Sequence, residues 1–120
     1  MLKLMDSSNK SDSQFYVFRG YLSSSEKNTV TLGLTSFYVN STEVEPWDSN
    51  WYWTEITIAN ANKDYNSSKV TTSHEFGHAM GLRHQNQTRD SIMCQAMYGR
   101  FSSVTRASEL DLYHINHIYN

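Results

Sequence analysis

The first half of the chain alternates apolar and polar positions, and the second half changes to a helical period. Phe15–Leu22 is aromatic and β-branched, which predicts a strand, and the polar run 23–28 predicts a turn. Over residues 29–39, Val30, Leu32 and Leu34 point one way and Thr29, Thr31, Gly33 and Thr35 the other, a second strand. Residues 40–50 hold Pro46, the only proline, and read as a loop. A third strand is expected over 51–59, with Trp53, Glu55, Thr57 and Ala59 opposite Tyr52, Thr54, Ile56 and Ile58. A loop follows, over 60–68. Residues 70–80 then read as a helix that Asn66, Ser67 or Ser68 caps and Gly81 ends. A last helix is expected over 105–119, opened by a Ser108/Asp111 capping box and carrying apolar stripes of Leu112, Ile115 and Tyr119 and of Leu110 and Ile118. The fold class is therefore α+β, in one domain over 15–120, preceded by a mobile polar leader over 1–14.

The length of 120 residues suits a single domain with its own core. A net charge of −2 and a pI near 6.2 give no basic footprint, which argues against nucleic acid as a partner. No stretch approaches the roughly 18 apolar residues of a membrane span. The single cysteine, Cys94, excludes an internal disulfide and a cysteine-based zinc cluster. Met1–Ser13 has no apolar core of a signal peptide, so the protein stays where it is made or the numbering begins inside a longer precursor. Low charge with abundant Ser, Thr and Asn suits an extracellular surface.

Chemistry enters with His74-Glu75-Phe-Gly-His78-Ala-Met-Gly81-Leu-Arg-His84. Four residues of helix separate His74 and His78 by about 40° at 100° per residue, so both imidazoles share one face and can meet one ion. Phe76 and Met80 fall on the far side, for the core. Gly81 tolerates the positive φ of a helix stop, after which the chain turns back and His84 can bring a third nitrogen. Three imidazoles with one open position are what a catalytic zinc requires, whereas a structural zinc is closed by a fourth protein ligand. Glu75, beside the first ligand, is placed to take a proton from an attacking water and pass it to a leaving amine. With these frequencies the five fixed positions arise by chance about 10⁻⁵ times per chain.

This segment resembles the extended zinc motif of the metzincin metallopeptidases, and Ser91-Ile92-Met93 resembles their Met-turn. The resemblance covers residues 70–98 closely and extends to 105–119, where that family carries a C-terminal helix. It implies a twisted mixed sheet above an active-site helix, zinc on His74, His78 and His84, Glu75 as general base and acid, and Met93 as a hydrophobic floor. It also implies hydrolysis of protein or peptide substrates by a secreted, monomeric enzyme. Such enzymes align substrate along an exposed edge strand, for which Thr54, Glu55, Ile56 and Thr57 are the expected residues. Tyr98 is assigned to substrate binding, in an oxyanion role. The sub-family is most similar to the matrixins, with departures: Gln85 stands where matrixins commonly have Ser, and Gln95 where they have Pro. Only 73 residues precede His74 and none read as a backing helix, so a minimal or truncated version is expected.

Other residues take plainer readings. Cys94 reads as a buried free thiol, and His114 and His117 as exposed helix histidines. Trp47, Trp51 and Trp53 read mainly as core, with Trp47 beside Pro46 a contact residue. Asp48, Asp64 and Asp90 lie in loops and could help bind calcium, as in some relatives of that family, but no loop is dense in oxygen ligands, so zinc is the cofactor expected and calcium is left open. Acceptor triplets for glycosylation at Asn9, Asn40, Asn66 and Asn86 are the number chance supplies. A zinc endopeptidase is the favoured reading; a non-catalytic zinc-binding module and an inactive fragment of a larger secreted peptidase stand beside it.

Overall fold

A computed structural model describes residues 14–22, 31–60, 62, 64–96, 99–100 and 104–119. Its elements are β1 (Phe15–Gly20), β2 (Gly33–Val39), β3 (Thr42–Val44), β4 (Trp53–Ala59), α1 (Tyr65–Ala79) and α2 (Glu109–Tyr119). The strands form one mixed sheet in the order β1-β4-β2-β3. β1 runs parallel to β4, Phe15 opposite Thr54, while β2 is antiparallel to both β4 and β3. The architecture is α+β, as expected. The expected leader lies outside the described residues apart from Gln14.

The sheet corrects one expectation. Thr54, Glu55, Ile56 and Thr57 do not form an exposed edge: β4 is paired on both sides, with β1 and β2. Thr54 is 1% exposed and Ile56 fully buried. The physical reason is burial: Ile56, Thr57, Ile58 and Ala59 are buried in succession, on both faces, as suits the middle of a sheet rather than its rim. The loop expected over 40–50 also contains β3, a short strand that pairs with only Phe37–Val39 of β2.

Helix α1 packs on β2 and β4. It begins at Tyr65, earlier than its apolar period suggests, because Asp64 rather than Asn66, Ser67 or Ser68 caps it: the Asp64 carboxylate accepts from Ser67 N at 2.8 Å. It ends where expected. Gly81 has φ +97°, its N–H donates to His78 O at 2.9 Å, and Leu82 N–H donates to Gly77 O at 2.9 Å. This paired closure satisfies the last carbonyls and turns the chain back sharply.

The core divides about α1. Ile56, Ile58 and Ala79, with Phe15 and Phe76 against them, fill the space between helix and sheet. Leu82, Ile92, Met93 and Val104, with Ala107 and Ile115, form a second cluster. Gly77 joins the two layers: a Cβ there would overlap Met93 Sδ, so the segment around Met93 can lie directly on the helix only at a glycine.

The Ser108/Asp111 capping box of α2 is present in both directions, Asp111 N–H donating to Ser108 Oγ at 3.2 Å and Ser108 N–H to Asp111 Oδ2 at 2.8 Å. The same carboxylate accepts from Ser91 Oγ at 2.6 Å and from Ile92 N–H at 3.0 Å. One buried aspartate thus fixes the start of α2 and docks it on the segment that carries Met93. The expected apolar stripes are mostly not buried: Leu110, Leu112, Ile118 and Tyr119 are exposed, and Ile115 alone packs on the core.

Candidate metal centre

The geometry brings His74, His78 and His84 together. Their candidate ligand atoms all lie within 4.8 Å of one another, and among the described residues no other group of this kind occurs. His84 Nε2 stands 3.1 Å from His74 Nε2 and 3.1 Å from His78 Nε2. Ligand nitrogens at about 2.05 Å around a tetrahedral zinc stand about 3.3 Å apart, so the triad fits that ion.

The backbone selects the tautomer such an ion needs. His74 Nδ1 donates to Ile92 O at 2.5 Å, and His78 Nδ1 donates to Leu82 O at 2.9 Å. With the proton on Nδ1, each Nε2 presents a lone pair to the common centre. Local structure supplies both acceptors: the Ile92 carbonyl belongs to the segment held by Asp111, and the Leu82 carbonyl to the turn at Gly81. Desolvation favours the neutral form of the rings, of which His74 is buried, His78 half-buried and His84 exposed. Desolvation pulls His74 down to about 4, with the charges of His78, His84 and Arg100 adding to it and the Ile92 hydrogen bond opposing. Desolvation also lowers His78 and His84.

Glu75 lies beside this centre, buried. Its Oε2 accepts from Thr35 Oγ1 at 2.6 Å, and the same hydroxyl is 3.0 Å from the Glu75 carbonyl oxygen. Desolvation raises the Glu75 carboxyl above the ordinary carboxylate range, opposed by the Thr35 hydrogen bond and the Arg100 charge. A carboxylate of raised basicity that is still oriented by a donor is suited to take up a proton near neutral pH.

The triad and Glu75 open on a cleft of about 950 Å³, walled by β2, the segment Glu43–Trp47, the turn Gly81–His84, and Gln95, Ala96 and Arg100. The core expected to take in Trp47, Trp51 and Trp53 leaves them out: Trp47 is 71% exposed on this wall, Trp51 lines the same cleft, and Trp53 is half-buried. Met93 is buried in a tight turn in which Cys94 N–H donates to Ser91 O at 3.2 Å. Cys94 is a buried free cysteine. Tyr98 lies outside the described residues.

The spacing of the motif gives no sign of several residues that complete the site. Thr35 sits on the polar face of β2, and only the packing of β2 on α1 brings it to Glu75. Asp111 is visible as a helix cap but not as the anchor of the Met93 turn. Arg100, on the cleft wall, carries no local signature at all.

Residues 20–120 match the family model for the matrixins, peptidase family M10. No curated protein and no solved structure gives a significant match.

Proposed function

The chain belongs to the matrixin family, and we propose that it is a zinc-dependent endopeptidase that cleaves protein or peptide substrates in the cleft above α1. The observation that carries this reading is the convergence of three Nε2 atoms with a buried, hydrogen-bonded carboxylate alongside. His74, His78 and His84 would hold the ion. Zinc there supplies Lewis acidity, which makes water a nucleophile near neutral pH and polarises a carbonyl. Glu75 accepts the proton of the attacking water and returns it to the leaving amine. Thr35 orients Glu75 for both transfers. Met93, lying on Gly77 beneath the ligand helix, serves as the hydrophobic floor.

The substrate strand docks on β2 in this proposal. Leu32 O accepts from Ala59 N–H and Tyr38 O from Tyr52 N–H, so even-numbered residues of β2 turn their backbone groups toward β4. The groups of Gly33 and Thr35 therefore face outward, and among the described residues β3 covers only the Phe37–Val39 end. An extended peptide adds to this edge by main-chain hydrogen bonds. We place the enzyme outside the cell, as a monomer, with residues 15–120 as one catalytic unit. No helix among the described residues is long and apolar enough to cross a membrane.

The deciding experiment measures bound zinc and cleavage of an unfolded protein for the native chain and for Glu75→Ala. Both should hold one equivalent of zinc, and the variant should lose cleavage by about 10²–10⁴-fold. Equal cleavage by the two proteins removes Glu75 from the chemistry. Full zinc without cleavage by the native chain supports a binding module instead, and absence of zinc from both ends the proposal.

A further inference from the structure

Arg100 stands on the wall of the cleft that holds the triad and Glu75, partly buried, with desolvation lowering its pKa. Its one hydrogen-bond contact among the described residues is with His74 Nδ1, at 3.3 Å. That nitrogen is already committed. When Nε2 is free to take a cation, Nδ1 carries the proton and donates to Ile92 O at 2.5 Å. Two donors cannot bond to each other, so in the metal-ready tautomer the guanidinium faces the cleft without an acceptor among the described residues. Glu75 faces it as a charge only: each favours the other's ionised form, and no hydrogen bond joins the two among the described residues. The other carboxylates of the cleft wall, Glu43 and Glu45, sit on β3 and just after it, alongside the Phe37–Val39 end of β2.

A partly desolvated guanidinium whose nearby carboxylate makes no hydrogen bond to it keeps its donors open for a ligand anion, and its planar fork matches a carboxylate. We infer that Arg100 receives a carboxylate of the substrate, so that the cleft selects peptides presenting one beside the bond to be cut. This inference rests on the cleft being the peptide-binding cleft. The carboxylate is that of an Asp or Glu side chain or that of the chain end, and the two sources are separable by experiment.

Binding is measured by calorimetry on zinc-loaded protein carrying Glu75→Gln, which suppresses turnover, and repeated on zinc-free native protein, which keeps the Glu75 charge beside Arg100. Three peptides of one sequence are compared: one with Glu and an amidated end, one with Gln and an amidated end, and one with Gln and a free end. The carboxylate-bearing peptide that fits should bind about tenfold more tightly than the amidated Gln peptide. A gain for the first peptide identifies a side-chain carboxylate, and a gain for the third identifies the chain end. Adding Arg100→Gln should abolish the difference, and Arg100→Lys should restore part of it. Equal or unmeasurable binding of all three peptides overturns the inference, as does a preference that survives Arg100→Gln. Because affinity is read without turnover, an inactive native chain would sink the endopeptidase reading and leave this result standing, whereas active cleavage with no carboxylate preference would sink this inference alone.

Discussion

The two helices invert the usual relation between pattern and burial. Helix α2 carries the apolar stripes, yet Leu112 is 51% and Ile118 49% exposed, and the residue it buries is the carboxylate of Asp111. Helix α1 buries Val70, Thr71, His74, Glu75, Gly77 and Ala79, positions spread over about 200° of its circumference. The difference lies in what surrounds each helix. α1 is enclosed by the sheet on one side and by the Ile92–Met93 segment on the other, so small and polar residues fit where a continuous apolar stripe would not. α2 touches the core along one narrow line and is held by polar anchorage at its start. A titratable group inside α1 is therefore desolvated, and the candidate ligands His74 and His78 and the carboxyl of Glu75 sit there; α2 acts as a clasp.

If that contrast holds, the largest effect comes from the clasp. Asp111→Ala leaves Ser91 Oγ, Ile92 N–H and the Ser108 donors without their acceptor, and it should cost about 3–5 kcal/mol. Urea denaturation measures this, and zinc affinity should fall with it because Ile92 O orients His74. A loss under about 1 kcal/mol would mean that α2 is held by its apolar face after all.

A smaller effect tests the desolvated helix. His74, His78 and His84 are all lowered on folding, so between pH 6.5 and about 4 the unfolded chain binds more protons than the folded one. The His74 contribution to the stability of metal-free protein is present above pH 6.5 and is lost as pH falls through about 4, on the order of 2 kcal/mol after discounting for partial solvation, and His78 and His84 act in the same direction. Glu75 works the other way. Raised by burial, it favours the folded state increasingly as it protonates, so Glu75→Gln should expose a steeper loss on acidification. Thermal denaturation across this range with and without Glu75→Gln is the measurement, and a flat profile for the variant would contradict the burial assigned to the triad. The smallest effect is expected on the exposed stripe: Leu112→Ser should change stability by less than about 0.5 kcal/mol, and a larger loss would show that this face is covered in solution.

The same contrast explains what the sequence made legible. The histidine spacing, the stop at Gly81 and the capping box are local, fixed by helix geometry and by one glycine's φ, and each lies where the pattern put it. Strand order is not local. Thr54–Thr57 has the composition of either an edge or a centre, and only the placement of β1 alongside it decides for the centre. The start of α1 was hidden because Tyr65–Lys69 carries no apolar period, its position being set by the single side chain of Asp64. Thr35 and Arg100 reach the site across tertiary contacts with residues 40 and 26 positions away, beyond any spacing rule.

Thr35 has two duties on one residue. Its peptide group lies on the open rail of β2 while its hydroxyl donates to the Glu75 carboxylate on the neighbouring helix. In the proposed enzyme a guest chain seated on that rail would bear on the very residue that holds Glu75, so occupancy of the groove and readiness for proton transfer would be mechanically joined, through a strand that holds none of the candidate ligands.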